Sequence, residues 1–256
     1  MPDESLFSLA GSRAVVTGGS RGIGAATALL LARQGADVAI TWRSRQADAQ
    51  AVVQSIEALG RRAAAHQVEL ADRNSVDATF DRIAADWGGI DILVGNAGIW
   101  PAEEAAVRDM DDARWSRTMA ENIDGMFYST RAAVRHMAEG GRVVLVSSTA
   151  GQRGEALHAD YAASKGAMIA FVKSVAIEVA GRGITVNSVA PGWVDTEMCA
   201  EPFARGGRER IASGIPLGRI ATPDDIAAPI VFLCMPGARH VTGEILNVNG
   251  GTVLCG

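Results

Sequence analysis

A doubly wound α/β domain, a parallel sheet with helices on both faces, is the fold class this sequence predicts. Three observations carry it. Seven short β-branched apolar runs alternate with longer Ala/Leu-rich segments of helical period. A glycine-rich turn joins the first run to the first helical segment. The central runs, ILV and VVLV among them, are continuously apolar rather than alternating, as strands buried on both faces require.

The elements follow in order. A strand over 13–17 leads through the glycine turn into a helix over 22–34, and a strand over 37–41 leads into a helix over 45–59. Strands at 63–69, 90–95 and 142–147 precede helices at 74–87, 112–138 and 160–181. Strands at 184–189 and 244–248 bracket a last helix over 223–235. That helix has a clear start: Thr222 as N-cap, Pro223 at the first position, then Asp224 and Asp225. Pro229 within it is expected to kink or break it. Right-handed crossovers place helices on both faces of the sheet. The stretch 195–220, containing EPFARGGRER, fits no simple element and reads as a mobile insertion covering the substrate. No linker or repeat interrupts 1–256, so one domain is expected.

Composition narrows the function. With 256 residues, 48% hydrophobic and 21% charged, and a net charge of −5, the chain is neither disordered nor short of core. Its longest apolar stretches, such as 25–32, fall far below the roughly 20 residues of a membrane span. Asp3 and Glu4 stand where a signal peptide needs positive charge. Cys199, Cys234 and Cys255 are scattered and odd in number, which suits reduced thiols in a cytoplasm and argues against a metal site. The acidic balance makes nucleic acid an unsuitable partner. Only two lysines stand against twenty-two arginines, and only two tyrosines occur, so a Lys or Tyr at a motif position is informative.

The turn reads Thr17-Gly18-Gly19-Ser20-Arg21-Gly22-Ile23-Gly24. Glycines there permit a tight turn and close approach of a pyrophosphate, and the following helix offers free N–H groups and a positive dipole end. Glycines in such a turn also occur as simple turn chemistry. Tyr161 and Lys165, spaced i and i+4, share one helix face. An ammonium near a phenol, whose free pKa is about 10, favours the phenolate and makes the phenol a usable acid–base. The plain alternative is a surface helical pair. By template counting, a Lys four residues after a Tyr arises by chance in roughly 1.6% of such chains.

TGGSRGIG, Asn96-Ala97-Gly98 after the fourth strand, Tyr161-x-x-x-Lys165, Pro191-Gly192, and Asn247-Val248-Asn249-Gly250-Gly251 together resemble the short-chain dehydrogenase/reductase family over essentially the whole chain. The nearest resemblance is to 3-oxoacyl-acyl-carrier-protein reductases. It implies a single Rossmann domain with a seven-stranded parallel sheet, usually assembled as a tetramer. It implies that Tyr161 protonates a carbonyl oxygen as hydride arrives, and that Lys165 also holds the nicotinamide ribose. Ser148, thirteen residues before Tyr161, would orient the substrate oxygen, leaving Ser147 a local structural role. Asn122 would support a helix kink and a proton-relay water.

Residues implied for the cofactor are Gly18, Ser20, Arg21, Gly22, Ile23, Gly24, Asn96, Ala97, Gly98, Tyr161, Lys165, Pro191, Gly192, Val194 and Thr196, with Glu69 and Leu70 at the adenine. The family often has Asp-Val where Glu69-Leu70 stands. An acidic residue about 20 positions after the glycines would favour NAD by binding the ribose 2′-hydroxyl. Trp42 stands at that place and Arg43 follows. With Arg21 in the turn, two guanidiniums suit a 2′-phosphate, so NADP(H) is expected. The alternative is two solvated arginines in an Arg-rich chain.

Trp100, His158, Trp193 and Met198 fall at strand ends and are expected in the substrate pocket, where Phe203 and Ile211 could also cover an apolar substrate. The substrate is a small carbonyl or alcohol. A 3-oxoacyl thioester leads, with acyl carrier protein as its carrier. A secondary-metabolite, sugar or cyclic ketone is the alternative, and a non-catalytic NADP-binding sensor a remote one. Of two places where basic residues suit an acidic carrier, one holds Glu139 and the other Arg182. The tetramer is expected through Ala132, Ala133 and Met137 on one long helix and Ala167, Met168, Phe171, Val172 and Val175 on the other, with 250–256 reaching a neighbour.

Overall fold

The computed structural model describes residues 4–204 and 206–255. Its strands are β1 (Arg13–Val16), β2 (Asp37–Trp42), β3 (Ala63–Gln67), β4 (Ile90–Gly95), β5 (Met137–Val146), β6 (Thr185–Pro191) and β7 (Ile245–Val248). They form one seven-stranded sheet in the order β3-β2-β1-β4-β5-β6-β7, parallel throughout. The chain leaves β3 at one edge and re-enters beside β1. The sequence order therefore reverses between β1 and β4, and a crevice opens there at the carboxyl ends of the strands.

The helices are α1 (Gly22–Arg33), α2 (Gln46–Glu57), α3 (Arg73–Trp87), α4 (Asp112–Met119), α5 (Gly125–His136), α6 (Thr149–Arg153), α7 (Ala159–Val179), α8 (Ala200–Phe203), α9 (Gly207–Ser213) and α10 (Pro223–Cys234). Alternate strand residues feed two cores. Val16, Val38, Ile40, Ile92, Val94 and Val144 pack under α1, α2 and α10, while Val15, Ala39, Leu93, Val143 and Leu145 pack under α3, α5 and α7. Full burial of each such side chain contributes roughly 1.5–3 kcal/mol, and the period-2 division locks the register.

The structure corrects several expectations. The helix expected over 112–138 is α4, a π turn over Ala120–Asp124, and α5, which ends at His136. Strand β5 begins at Met137, earlier than expected, because Ile90 pairs Met137 before the register shifts and resumes at Ile92↔Arg142. Gly140, at φ +78°, lies within that shift. The short helix α6 was not anticipated.

Pro229 does not break α10, which runs unbroken to Cys234. The missing N–H falls in the second turn, the helix start is secured by a Thr222–Asp225 capping box, and Ile226, Ala227, Ile230 and Val231 on both sides of Pro229 are anchored in the core. The 195–220 stretch folds into a short 3₁₀ turn over Glu197–Cys199, then α8 and α9.

The proposed intersubunit faces also change. Ala132, Ala133, Met137, Met168, Val172 and Val175 are buried inside the subunit, beneath α5 and α7, while Ala167 is exposed and Phe171 half-buried. Segment 250–255 turns back on its own subunit, with Asn249 donating to the Val253 carbonyl at 2.9 Å and Asn247 to that of Cys255 at 3.2 Å. Gly256, like Asp3 at the other end, lies outside the described residues.

Candidate active site

A cleft of about 960 Å³ opens at the switch point, over the ends of β1, β2, β4, β5 and β6. Thr17 and Asn96 build its floor. The Thr17 hydroxyl accepts from the backbone N–H of Asn96 and Ala97 at 3.0 and 3.1 Å. The Asn96 amide donates to the carbonyls of Thr17 and Gly18 at 3.1 and 3.2 Å. These bonds fix the glycine turn against the end of β4.

The turn itself needs glycine. Gly18 and Gly22 lie at φ +63° and +54°, in the left-handed region. A Cβ on Gly24 would stand 2.3 Å from the Gly18 carbonyl oxygen, so Gly24 serves close helix–turn packing and sits below the cleft wall rather than on it. Helix α1 starts at Arg21 with no side-chain cap, which leaves its first N–H groups to the cleft. Such a cradle, bare of Cβ atoms and backed by a helix N-terminus, fits a pyrophosphate.

Arginines surround the far end. Arg21 and Arg45 both pair with Glu197, Arg45 at 2.9 Å, and Arg43 pairs with Glu121. Arg21, Arg43, Ser44 and Arg45 all line the cleft. Arg45 was missed in the sequence; its only signal was a third arginine two residues after Arg43. These groups fit a phosphate on the ribose. Trp42 supplies no carboxylate to oppose it.

At the reaction end, Ser148, Tyr161 and Lys165 line one wall. Ser148 N-caps α6, accepting from the Ala150 N–H at 3.1 Å, and stands on the same wall as the Tyr161 phenol. Burial pushes the phenol above its ordinary value, and Ser148 opposes that. Lys165 is buried; its Nζ donates to the Val146 carbonyl at 2.8 Å. Burial lowers the ammonium to about 8. Ser147 bonds the Val189 carbonyl at 3.1 Å and accepts from Ser188 at 2.8 Å, a structural role.

Asn122 lies in the π turn, fully buried, and does not line the cleft. Its Oδ1 accepts from the Ile99 N–H at 2.7 Å, and its amide donates to the Ile99 carbonyl and the Ser164 hydroxyl, each at 3.0 Å. A Cβ on Gly98 would meet Asn122 Oδ1 at 3.0 Å and Lys165 Nζ at 3.5 Å. Asn122 therefore sets the backbone at the cleft floor directly beside the lysine. A π turn inserted in a helix is common at functional sites.

Ser20, Ile23, Glu69, Leu70, Asn96, Ala97, Gly98, Pro191, Gly192, Val194 and Thr196 all reach the cleft. So do Trp100, Trp193, Met198 and Ile211. His158 does not. It is buried behind the wall, its ring stacked on Trp100 with centroids 4.7 Å apart and planes at 19°. It holds the tryptophan rather than facing substrate. Phe203 is likewise set back, packed on Trp193 at 5.9 Å. Glu155, Cys199, Ile215 and Thr252 line the cleft without having been singled out. Burial pushes both the Glu155 carboxyl and the Cys199 thiol up.

Fold and cleft together define a Rossmann-type α/β oxidoreductase. The family model described as enoyl-(acyl carrier protein) reductase matches residues 18–253. The chain is 40% identical over 249 residues to the 3-oxoacyl-[acyl-carrier-protein] reductase FabG of Vibrio cholerae, covering 96% of this chain and 98% of that one. It is 40% identical over 240 residues to the cis-4-hydroxycyclohexanecarboxylate dehydrogenase of Sinomonas cyclohexanicum, covering 93% and 95%. A short-chain dehydrogenase from Burkholderia cenocepacia, solved in complex with NADP, superposes with a TM-score of 0.90 at 42% identity, covering 95% and 98%. This chain belongs to the short-chain dehydrogenase/reductase family.

Proposed function

We propose that the protein is an NADP(H)-dependent carbonyl reductase, reversibly an alcohol dehydrogenase. The observation that carries this reading is Ser148, Tyr161 and the buried Lys165 brought together on one cleft wall. The bound nicotinamide cofactor supplies the hydride. The two hydroxyls converge on one oxygen position. Ser148 holds the carbonyl oxygen and orients it for attack. Tyr161 donates its proton to that oxygen as negative charge develops there. Lys165 stabilises the phenolate that remains and reaches the ribose hydroxyls. Asn122 fixes the Ile99 and Gly98 backbone beside Lys165, where a water could relay the proton to solvent.

Arg21, Arg43 and Arg45 are assigned to the 2′-phosphate, and the glycine turn with the α1 N-terminus to the pyrophosphate. Val194 and Thr196 are assigned to the carboxamide end, Glu69 and Leu70 to the adenine.

A 3-oxoacyl thioester is the first substrate class, supported by the similarity to FabG proteins. A compact cyclic ketone is the second, supported by the similarity to a cyclohexane-carboxylate dehydrogenase and by the aromatic wall of Trp100 and Trp193. Glu139 is exposed, and the Arg182 guanidinium is engaged with the Val134 and Met137 carbonyls at the end of α5. Neither residue then offers a free cation to an acidic carrier, so the thioester would be accepted without a strong carrier dependence.

NADPH oxidation with an acetoacetyl thioester, ethyl acetoacetate, a cyclic ketone and an aldose tests the reading. Tyr161→Phe should abolish turnover of whichever is reduced while NADPH still binds. Retention of a tenth or more of wild-type activity would make Tyr161 the wrong acid. Turnover of none, with NADPH bound, would favour a non-catalytic sensor.

A further inference from the structure

At the substrate end of the cleft a carboxylate is set among apolar walls. Trp100, Trp193, Met198, Ile211 and Ile215 form the walls, with the two tryptophans meeting edge to face at 6.3 Å. Glu155, in the loop between α6 and α7, opens onto the same space, its side chain 19% exposed.

The carboxylate is held rather than neutralised. His158, stacked on Trp100, places Nδ1 3.9 Å from Oε1. A carboxylate has about four acceptor positions, and Glu155 presents its own to the cleft. No arginine or lysine ion pair to it forms among the described residues. Arg153 and Arg210 also reach the cleft, from its exposed rim, and the Arg153 charge favours the ionised Glu155 carboxylate without pairing with it. The negative charge acts at the reaction centre as well: it disfavours ionisation of both Tyr161 and Cys199. Water in the open cleft fills these acceptors, and a ligand that displaces it must replace its hydrogen bonds.

We infer that Glu155 selects the substrate: its carboxylate accepts a hydrogen bond from a hydroxyl or ammonium group carried by the carbonyl compound, and it excludes compounds that place an anion there. The inference rests on the carbonyl-reductase reading above. Within the cyclic-ketone class named above, it favours a neutral or cationic hydroxy- or amino-ketone with an apolar body, and it sets keto acids apart as poor substrates. Trp100 and His158 are positioning residues for the carboxylate.

Three ketones of one shape test it: 4-hydroxycyclohexanone, cyclohexanone and 4-oxocyclohexanecarboxylate. The wild-type enzyme should favour the hydroxyketone over the keto acid by about tenfold or more in kcat/KM, since a hydrogen bond to a charged group is gained in one and repulsion met in the other. Glu155→Gln should move that ratio toward the keto acid by about tenfold, and Glu155→Asp, which keeps the charge, should leave the preference in the same direction. A wild-type preference for the keto acid overturns the inference without any variant. So does a ratio that Glu155→Gln leaves unchanged while ketones are still reduced, and in that case the carbonyl-reductase reading stands. Reduction of no ketone and no thioester removes both.

Discussion

Lys165 donates to the carbonyl of Val146 at 2.8 Å and stands with its Nζ 5.8 Å from the centre of the Tyr161 ring. It therefore acts on the phenol through space and not through a direct hydrogen bond. The two groups share one buried wall, and burial pushes each toward its neutral form, the phenol up and the ammonium down to about 8. A positive charge kept in that wall is a cost to folding that catalysis uses.

The sign of that cost gives the first prediction. The folded value of Lys165 lies below that of the unfolded chain, so between about pH 8 and the ordinary lysine value the unfolded state binds more protons. Stability contributed by this site rises with pH across that window. Against Lys165→Met, which has no such titration, the wild-type protein should gain on the order of 2–3 kcal/mol between pH 7 and 10.5. Urea unfolding of both proteins at the two pH values measures it. A difference that stays constant would mean the lysine is not buried as described. The Met variant should also lose turnover, having lost the charge that favours the phenolate.

The arginines at the far end give the second. Glu197 holds Arg21 and Arg45, and Glu121 holds Arg43, at the place assigned to the 2′-phosphate. These are exposed pairs, each worth roughly 1 kcal/mol or less, so a dianionic phosphate should displace the carboxylates. NADPH should exceed NADH by at least tenfold in kcat/KM. Arg43→Ala and Arg45→Ala should each reduce the NADPH value about fivefold and spare NADH, while Glu197→Gln should lower KM for NADPH severalfold by freeing two arginines. Trp42→Asp combined with Arg43→Ser should reverse the preference. Wild-type preference for NADH would refute the assignment.

The third concerns the helix that carries Tyr161. Asp160, fully buried, accepts from Arg114 at 3.1 and 3.2 Å and from the Thr118 hydroxyl at 2.8 Å. Arg114 also donates to the carbonyls of Glu103 and Leu157, at 2.5 and 3.5 Å, and Leu157 is held at φ +67°. Burial would push the Asp160 carboxyl up, but the bonds from Arg114 and Thr118 outweigh it and hold it below the ordinary range. Asp160→Asn leaves a buried guanidinium unpaired and should cost about 3–5 kcal/mol at pH 7. Because the folded value is depressed, the wild-type advantage is full above the ordinary carboxylate value near ~3.9 and shrinks as pH falls through the folded one. Denaturant melts at pH 7 and pH 3 should show that narrowing. An equal gap at both pH values would mean that Asp160 is not the titrating partner.

Sequence patterns of fixed period were legible and tertiary placement was not. The strands, the glycine turn, Tyr161, Lys165 and the strand-end position of Ser148 follow from alternation and spacing, which the chain states locally; the order of the strands in the sheet does not. The π turn at Asn122 adds one residue to a helical run that keeps its helix-forming composition, so no local signal marks it. His158 adjoins Tyr161 in sequence, yet the turn through Leu157 sends its ring behind Trp100. Glu155 reads as an ordinary loop glutamate until the fold sets it among tryptophans. Helix α7 is apolar around much of its circumference, and the sequence could not say which stripe faced the sheet.

That last ambiguity bears on assembly and gives the fourth prediction. Met168, Val172 and Val175 of α7 and Ala132 and Ala133 of α5 are satisfied inside the subunit. Of the expected face, Ala167 stays exposed and Phe171 half-buried, and Trp115 at 42% exposure, Phe127 at 39% and Ile177 at 78% join them outside. Phe127 extends an aromatic run, meeting Tyr128 at 5.6 Å and Phe171 at 6.3 Å, so the apolar surface continues from α5 onto α7. Scattered exposed apolar residues need no explanation, but a contiguous aromatic patch spanning two helices does. A two-fold axis through this patch would bury it isologously, and a second axis would close a tetramer. Light scattering at micromolar concentration should give about four times 26.7 kDa. Phe127→Glu should reduce the mass by placing charge in that patch, with stability of the subunit core little changed because the side chain does not belong to it. A wild-type protein that is monomeric and fully active would refute the assembly, and the patch would then have to serve a different partner.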